Sequence, residues 1–321
     1  MTRERGLRGA VAIVFALVAG LVAVRAQFIV LSNGGDHRIL WHAAHVLLSG
    51  GNAYAPQAEK YLTLYYPMPS VLAVMPLAWL PVEIAATAFA TLSAGLLGYA
   101  ITREGFERVP ILFSIPFLCA AQFAQTSTLV FALGITPLLA GLTVIKPNLG
   151  AALFTWRPSA RTIFVGGLVV LASLAADIRW PLRFLAAVRS SPGHHAPVTV
   201  GLGALALCAL FRWRRPEARL LVAMALIPHA LFFYDELPLF LIAQTRREAM
   251  VMALTSWMGL FGWMATSHGP TLSDMQQWSV AAMYIPAVAI VLLRPNVSKE
   301  YVNHEATRRA SQVPMRPVSH G

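Results

Sequence analysis

Apolar residues in this chain fall in long runs, separated by short arginine clusters and one extended polar stretch near the start. The first run covers 9–24 and resumes after Arg25 at 28–31. Later runs fall at 69–80, 82–101, 109–123, 128–145, 149–156, 162–176, 198–211, 220–233, 237–243, 249–266 and 280–293. Runs of this kind predict an all-α polytopic membrane protein, a bundle of about 11 to 12 membrane segments with a helical outer loop after the first span. A full crossing takes about 20 residues, so the shorter runs are expected to be broken, re-entrant or paired as half-helices. Prolines at 67, 69, 76, 81, 116, 137, 147 and 228 fit broken helices, because proline inside a membrane helix frees a carbonyl that only a protein-lined cavity satisfies.

Composition agrees: 57% of the 321 residues are hydrophobic and 12% charged, against about half and about a quarter in globular chains. The formal charge of +11 does not point to nucleic acid, since the arginines sit between apolar runs and no basic stretch is interleaved with aromatics. Cys119 and Cys208 lie inside apolar runs and read as small buried hydrophobes. Arg3, Arg5 and Arg8 resemble a signal-peptide flank, but the apolar stretch behind them exceeds the usual 7–15 residues or so and reads as a retained anchor. Residues 1–297 then form one membrane domain, and 298–321 a polar, disordered tail.

Arginine placement orients the chain. Arg3/Arg5/Arg8, Arg157/Arg161, Arg212/Arg214/Arg215/Arg219, Arg246/Arg247 and the segment from Arg294 onward are expected on the cytoplasmic side, with both termini. The stretches 32–67, 177–197 and 267–278 then face outward. The cluster at 103–108, with two Arg and two Glu, gives no vote.

The outer loop at 32–68 is the richest in chemistry. Asp36 opens it, a carboxylate at the mouth of a membrane protein, where an acid is expensive unless it works. Trp41, His45 and Leu48 recur at i, i+4, i+7 and predict a short helix over 38–48, stopped by Gly50-Gly51. Tyr61, Tyr65 and Tyr66 approach the next span as an aromatic belt, for which simple anchoring is the plain alternative. His37, His42 and His45 lack a closed ligand set, so no metal is assigned.

Few polar groups interrupt the apolar part: Gln122, Gln125, Lys146, His229 and the run Tyr234-Asp235-Glu236. A lysine near mid-bilayer costs at least about 2.5 kcal/mol unless it snorkels or meets an anion, and a phosphate is a suitable anion. Gln125 reads equally as glue between helices. Asp235 reaches the same face as Asp36, and pairing with Arg179 or Arg183 stands beside a catalytic role.

The stretch from Gly35-Asp36-His37-Arg38 through Trp41, then Ser49-Gly50-Gly51-Asn52-Ala53-Tyr54 and Tyr66-Pro67, resembles the first outer loop of glycosyltransferase family 87. That family comprises polyprenyl-phosphate-sugar-dependent membrane mannosyltransferases and relatives with the type C glycosyltransferase fold. Gln125, Lys146-Pro147-Asn148, Pro228-His229 and Tyr234-Asp235 follow in the family's order, so the resemblance covers about 32–243. The chain departs from the family at His37, usually apolar or aromatic, at Met68-Pro69, and at Ala124, where a Gly usually precedes the Gln.

The resemblance implies inverting transfer of a hexose, mannose foremost, from a polyprenyl-phosphate donor to a lipid or glycan acceptor at the outer face of the plasma or inner membrane, without cofactor or metal. Asp36 would be the general base. Lys146, or Arg179 or Arg183, would stabilise the departing phosphate. His229 would hydrogen-bond phosphate or sugar, and Trp41 or Tyr66 would stack on the sugar, with Gln125, Tyr234 and Asp235 completing the substrate pocket. A non-enzymatic transporter or lipid-binding protein, with Lys146 and Asp235 along its path, and an inactive assembly subunit are the other readings.

Overall fold

The computed structural model describes residues 2–30, 35–56, 62–189, 194–266 and 271–295. Tyr61 and the tail at 298–321 lie outside the described residues. Within them the chain is almost wholly helical, with one two-residue antiparallel pair of strands.

Helix α1 (Thr2–Arg25) continues as a π-helical turn over Ala26–Val30, so Arg25 does not interrupt it. Helix α2 (His37–Leu48) is the short helix expected in the outer loop. Helix α3 (Met68–Val74) leads through a 3₁₀ turn to α4 (Val82–Ile101), which matches its apolar run. The middle of the chain is broken into α5 (Ile115–Gln122), α6 (Thr126–Ile135), α7 (Pro147–Trp156), α8 (Ala160–Ser173) and α9 (Trp180–Arg189). Strand β1 (His194–His195) pairs with β2 (His229–Ala230), His195 opposite His229. Between the strands lie a 3₁₀ helix at Gly201–Arg212 and α10 (Pro216–Leu226). After β2 come a 3₁₀ helix at Tyr234–Ile242, α11 (Arg246–Met264) and α12 (Leu272–Leu293).

Among the described residues three helices are long and apolar enough to cross a membrane: Arg3–Val30, Val82–Ile101 and Leu272–Leu293. The other runs fold as shorter or less apolar helices, and the prolines account for much of this. They stand mainly at helix starts and stops: Pro69, Pro116, Pro147 and Pro216 occupy first turns of α3, α5, α7 and α10. There the missing N–H costs nothing, because no partner within the helix awaits it. The run expected over 220–233 ends as a helix at Leu226, just before Pro228.

Helices α1 and α4 are antiparallel and close. A Cβ on Gly20 would lie 2.9 Å from Thr91 Oγ1, and one on Gly98 only 2.8 Å from Phe15 Cγ. Phe15 and Phe117 meet edge to face at 5.2 Å in the main core, which the 3₁₀ helix Tyr234–Ile242 crosses fully buried. A second core gathers Leu40, Leu64, Met68, Val71, Phe89 and Trp180 beneath the outer loop. Large apolar side chains remain uncovered outside, among them Leu21 (72% exposed), Phe164 (67%) and Met258 (68%).

The arginine clusters gather at one end. Arg157 pairs with Glu104 at 2.6 Å, and Arg219 Nε donates to the Thr155 carbonyl at 3.1 Å. Arg212 Nε donates to the Arg294 carbonyl at 2.7 Å, while Arg294 pairs with Glu248 at 2.5 Å. The undecided cluster at 103–108 joins them, Arg108 Nε donating to the Ala243 carbonyl at 3.1 Å.

Candidate functional site

The polar residues of the apolar part converge because each stands where a helix begins. Asp36 occupies the N-cap of α2, Gln125 that of α6 and Lys146 that of α7, while Asp235 lies in the first turn of the 3₁₀ helix Tyr234–Ile242. The breaks in the apolar runs therefore bring these side chains together, and at the start of α6, where no side chain caps the helix, they add N–H groups with a partial positive charge. Two breaks need unusual backbone. Ala124, before Gln125, has φ +48°, and Phe233, before Tyr234, has φ +51°. Such values cost an L-residue about 1–2 kcal/mol and collect at working sites.

Asp36 makes no capping bond and accepts a short hydrogen bond from Gln125 Nε2. Gln125 Oε1 accepts from the Tyr66 hydroxyl at 3.4 Å, so one amide joins Asp36 to Tyr66. Gly35, at φ +55°, turns the chain into α2 where a Cβ would lie 3.4 Å from Phe123. Burial raises the Asp36 carboxyl above the usual carboxylate range, while Lys146 and the Gln125 hydrogen bond pull it back. Burial likewise raises the Tyr66 phenol, reinforced by Asp36 and Asp235. Burial alone lowers His37, beside Asp36, to about 4. Among the described residues neither ring nitrogen of His37 has a hydrogen-bond partner, and the ring lies 4.9 Å from that of Phe89.

Lys146 Nζ donates to Asp235 Oδ1 at 2.5 Å and to Ser127 Oγ at 2.9 Å, and Ser127 in turn donates to the same carboxylate oxygen at 2.5 Å. Asp235 Oδ2 and Thr126 Oγ1 are buried without a partner. The ammonium sits 5.4 Å from the centroid of the Tyr234 ring. Lys146 is thus neither isolated nor snorkelling.

His229 faces a second buried group. Its Nδ1 lies 2.8 Å from the Ile227 carbonyl and its Nε2 3.2 Å from Glu236 Oε1, while the Tyr284 hydroxyl donates to Glu236 Oε2 at 2.9 Å. Both ring nitrogens are engaged inside the protein, so the direct contact with phosphate or sugar expected of His229 requires that one of these bonds give way. Through the strand pair it ties the loop holding His194 to Asp235, whose charge acts on the His194 imidazole against the lowering effect of burial.

Three expectations are corrected. Trp41 stays out of the cluster: its indole N–H donates to the Leu80 carbonyl at 3.0 Å and its ring stacks on His45 at 3.9 Å. Arg183 pairs with Asp177 at 2.6 Å and donates to Asn52 at 3.1 Å, so it does not hold Asp235. Arg179 touches the same Asp177 through its backbone N–H, at 2.9 Å. Lys146 is the cation that Asp235 meets because both start buried helices in the same core, whereas α9 lies over the outer loop.

Sequence reasoning gave no role to Ser127, Glu236 or Tyr284. Ser127 lies two residues beyond Gln125, and Glu236 is a second acid beside Asp235, so both carried a local signal. Tyr284, one tyrosine in a long apolar helix, carried none. Among the described residues no group of three or more His, Cys, Asp or Glu side chains could hold a metal ion. No protein-family model, curated protein or solved structure matches this chain.

Proposed function

We propose that the protein is a polytopic membrane glycosyltransferase of the family 87 type, moving a hexose, mannose foremost, from a polyprenyl-phosphate donor to a lipid or glycan acceptor. The observation that carries this reading is the convergence of Asp36, Gln125, Lys146, Tyr234 and Asp235 from four separate helix starts, with Tyr66 from the segment before α3 joining them through Gln125. The acceptor oxygen attacks the anomeric carbon as its proton passes to Asp36, and the bond from that carbon to the donor phosphate breaks. Inversion follows from the single displacement. A partly buried carboxylate that burial raises above the usual carboxylate range is suited to a general base, worth typically about 10²–10⁴ in rate. The Lys146 ammonium and the N–H groups opening α6 suit a leaving phosphate, which would replace Asp235 as the partner of Lys146.

The membrane reading draws support from the three long apolar helices, the uncovered leucine and phenylalanine faces and the gathered arginines. Under it the arginine end is cytoplasmic with both termini, the Asp36 cluster opens outward, and the short helices complete a bundle in the plasma or inner membrane.

The test uses membranes carrying wild type or Asp36→Asn, radiolabelled polyprenyl-phosphate sugars and a total membrane extract. Transfer of label that disappears with Asp36→Asn is expected. An undiminished rate in the variant would sink the assignment. The buried Lys146–Asp235 pair also favours a second reading, a transporter or lipid-binding protein without chemistry, for which that pair is essential and Asp36 is not.

A further inference from the structure

Three of the helices that begin at the Asp36 cluster end together around a second feature. The 3₁₀ helix Tyr234–Ile242, α6 and α7 run from the cluster to a cavity of about 160 Å³ touched by Leu241, Ile135 and Trp156. At about 1.5 Å per residue, the 10-residue α6 and α7 put this cavity about 15 Å from the cluster, among the gathered arginines.

Its charged lining is Arg103, Arg108 and Arg157 against one acid, Glu104. Glu104 is shared: Arg157 is 2.6 Å from it and Arg108 3.8 Å. Arg108 is further fixed by donating to the Ala243 and Leu241 carbonyls, at 3.1 and 3.4 Å. Arg103 is exposed, and its guanidinium makes no ion pair or hydrogen bond among the described residues. Glu107 does not line the cavity; its carboxylate lies over Gly105. Three guanidinium groups and one carboxylate thus line the cavity; Glu107 and Glu217 act on Arg108 from outside it, which leaves Arg103 and Arg157 as the forks turned to the oxygens of a phosphate. The remaining wall is apolar, with the Trp156 indole 4.8 Å from the Arg157 guanidinium, as at a membrane interface.

We propose that this cavity binds the phosphate of an anionic amphiphile, with Arg103 and Arg157 on the phosphate oxygens and the acyl chains leaving along the apolar wall. The site is separate from the proposed transfer site and does not depend on that reading. Free phosphate offers the same oxygens, so the assay must separate the two sources.

The full chain, in a neutral detergent, is followed by native mass spectrometry with phosphatidylglycerol or phosphatidylcholine, and by thermal unfolding with inorganic phosphate. Phosphatidylglycerol is expected to be retained at least about fivefold more than phosphatidylcholine, and Arg103→Gln to remove about fivefold of that retention. Glu104→Gln is expected to act in the opposite sense, tightening retention by freeing Arg157. Stabilisation by inorganic phosphate that Arg103→Gln abolishes, without lipid preference, assigns the same anion site to a soluble phosphate. Equal retention of both lipids with no phosphate response overturns the proposal, as does phosphatidylglycerol retention unchanged by Arg103→Gln and Glu104→Gln. Arg103 holds nothing else, so its replacement is expected to fold.

Discussion

Lys146 and Asp235 lie 89 residues apart in the chain and 2.5 Å apart in space, with side chains 9% and 1% exposed. Two opposite charges have been taken out of water together, each making the other tolerable. Breaking such a pair is costly because an uncompensated charge stays behind, whereas replacing both members with apolar groups is often neutral. Lys146→Met or Asp235→Leu alone is expected to lower stability by about 3–5 kcal/mol, and the double replacement to recover most of it. Thermal unfolding of the four proteins in one detergent checks this; additive losses would mean that the pair is not coupled.

Asp36→Asn keeps an oxygen for Gln125 and is expected to fold normally while losing about 10²–10⁴ of transfer rate. The base must be ionised, so activity is expected to fall as pH drops through the raised Asp36 value. The Gln125 hydrogen bond and Lys146 both favour the ionised form, so Gln125→Ala is expected to move this acid limb to higher pH. An unmoved limb would assign it to another group.

His37 contributes an acid sensitivity of its own. Its folded value of about 4 lies below the ordinary 6.5, so between these pH values the unfolded chain binds a proton that the folded chain refuses. Stability is therefore unaffected above pH 6.5, falls on acidification toward about 4 and is level below that, by up to about 3 kcal/mol. His37→Phe keeps an aromatic ring on Phe89 and is expected to flatten the curve of unfolding temperature against pH across this window. A variant with the wild-type slope would place the sensitivity elsewhere.

Tyr284 donates to a carboxylate that also faces His229, with all three side chains buried. Tyr284→Phe leaves Glu236 Oε2 without that donor and is expected to cost about 1–3 kcal/mol. A purely structural role would stop there. The strand pair carries any tilt of His229 to the loop at 194–195, so the apparent KM for the donor is also expected to rise in Tyr284→Phe. Donor titration of the purified variant measures this.

Much of the candidate site is legible because a polar residue inside an apolar run is conspicuous, as Gln125, Lys146 and Asp235 are, and because Asp36 is an acid opening the outer loop; these four meet. Which cation meets Asp235 was not legible, since Arg183 and Lys146 are equivalent in a linear reading until α9 is seen lying over the outer loop with Asp177 at hand. Helix α4 was readable to the residue because Pro81 starts it and its run is unbroken. The run at 128–145 was not, because its apolar residues hide a break at Pro137 between α6 and a 3₁₀ helix at Ala140–Ile145.

Ala124 joins the sequence departure to the backbone. The family resemblance places a glycine before the glutamine, and here that position has φ +48°, where glycine is unstrained and alanine is not. Alanine is held there because its methyl is buried with Ala23, Ala86 and Ala90. Relief of the left-handed conformation is worth about 1–2 kcal/mol. Against it stand about 0.8 kcal/mol for the lost methyl and about 0.4–1 kcal/mol for the freer unfolded chain. Ala124→Gly is therefore expected to change stability by less than about 1 kcal/mol and to keep Gln125 on Asp36 with full activity. Ala124→Val adds a branched side chain to both the strained φ and the tight contact and is expected to lose more than about 2 kcal/mol, with transfer falling as Gln125 shifts. Unfolding temperatures and transfer rates of the two variants decide it: a tolerated valine would mean that this turn does not hold Gln125 against Asp36.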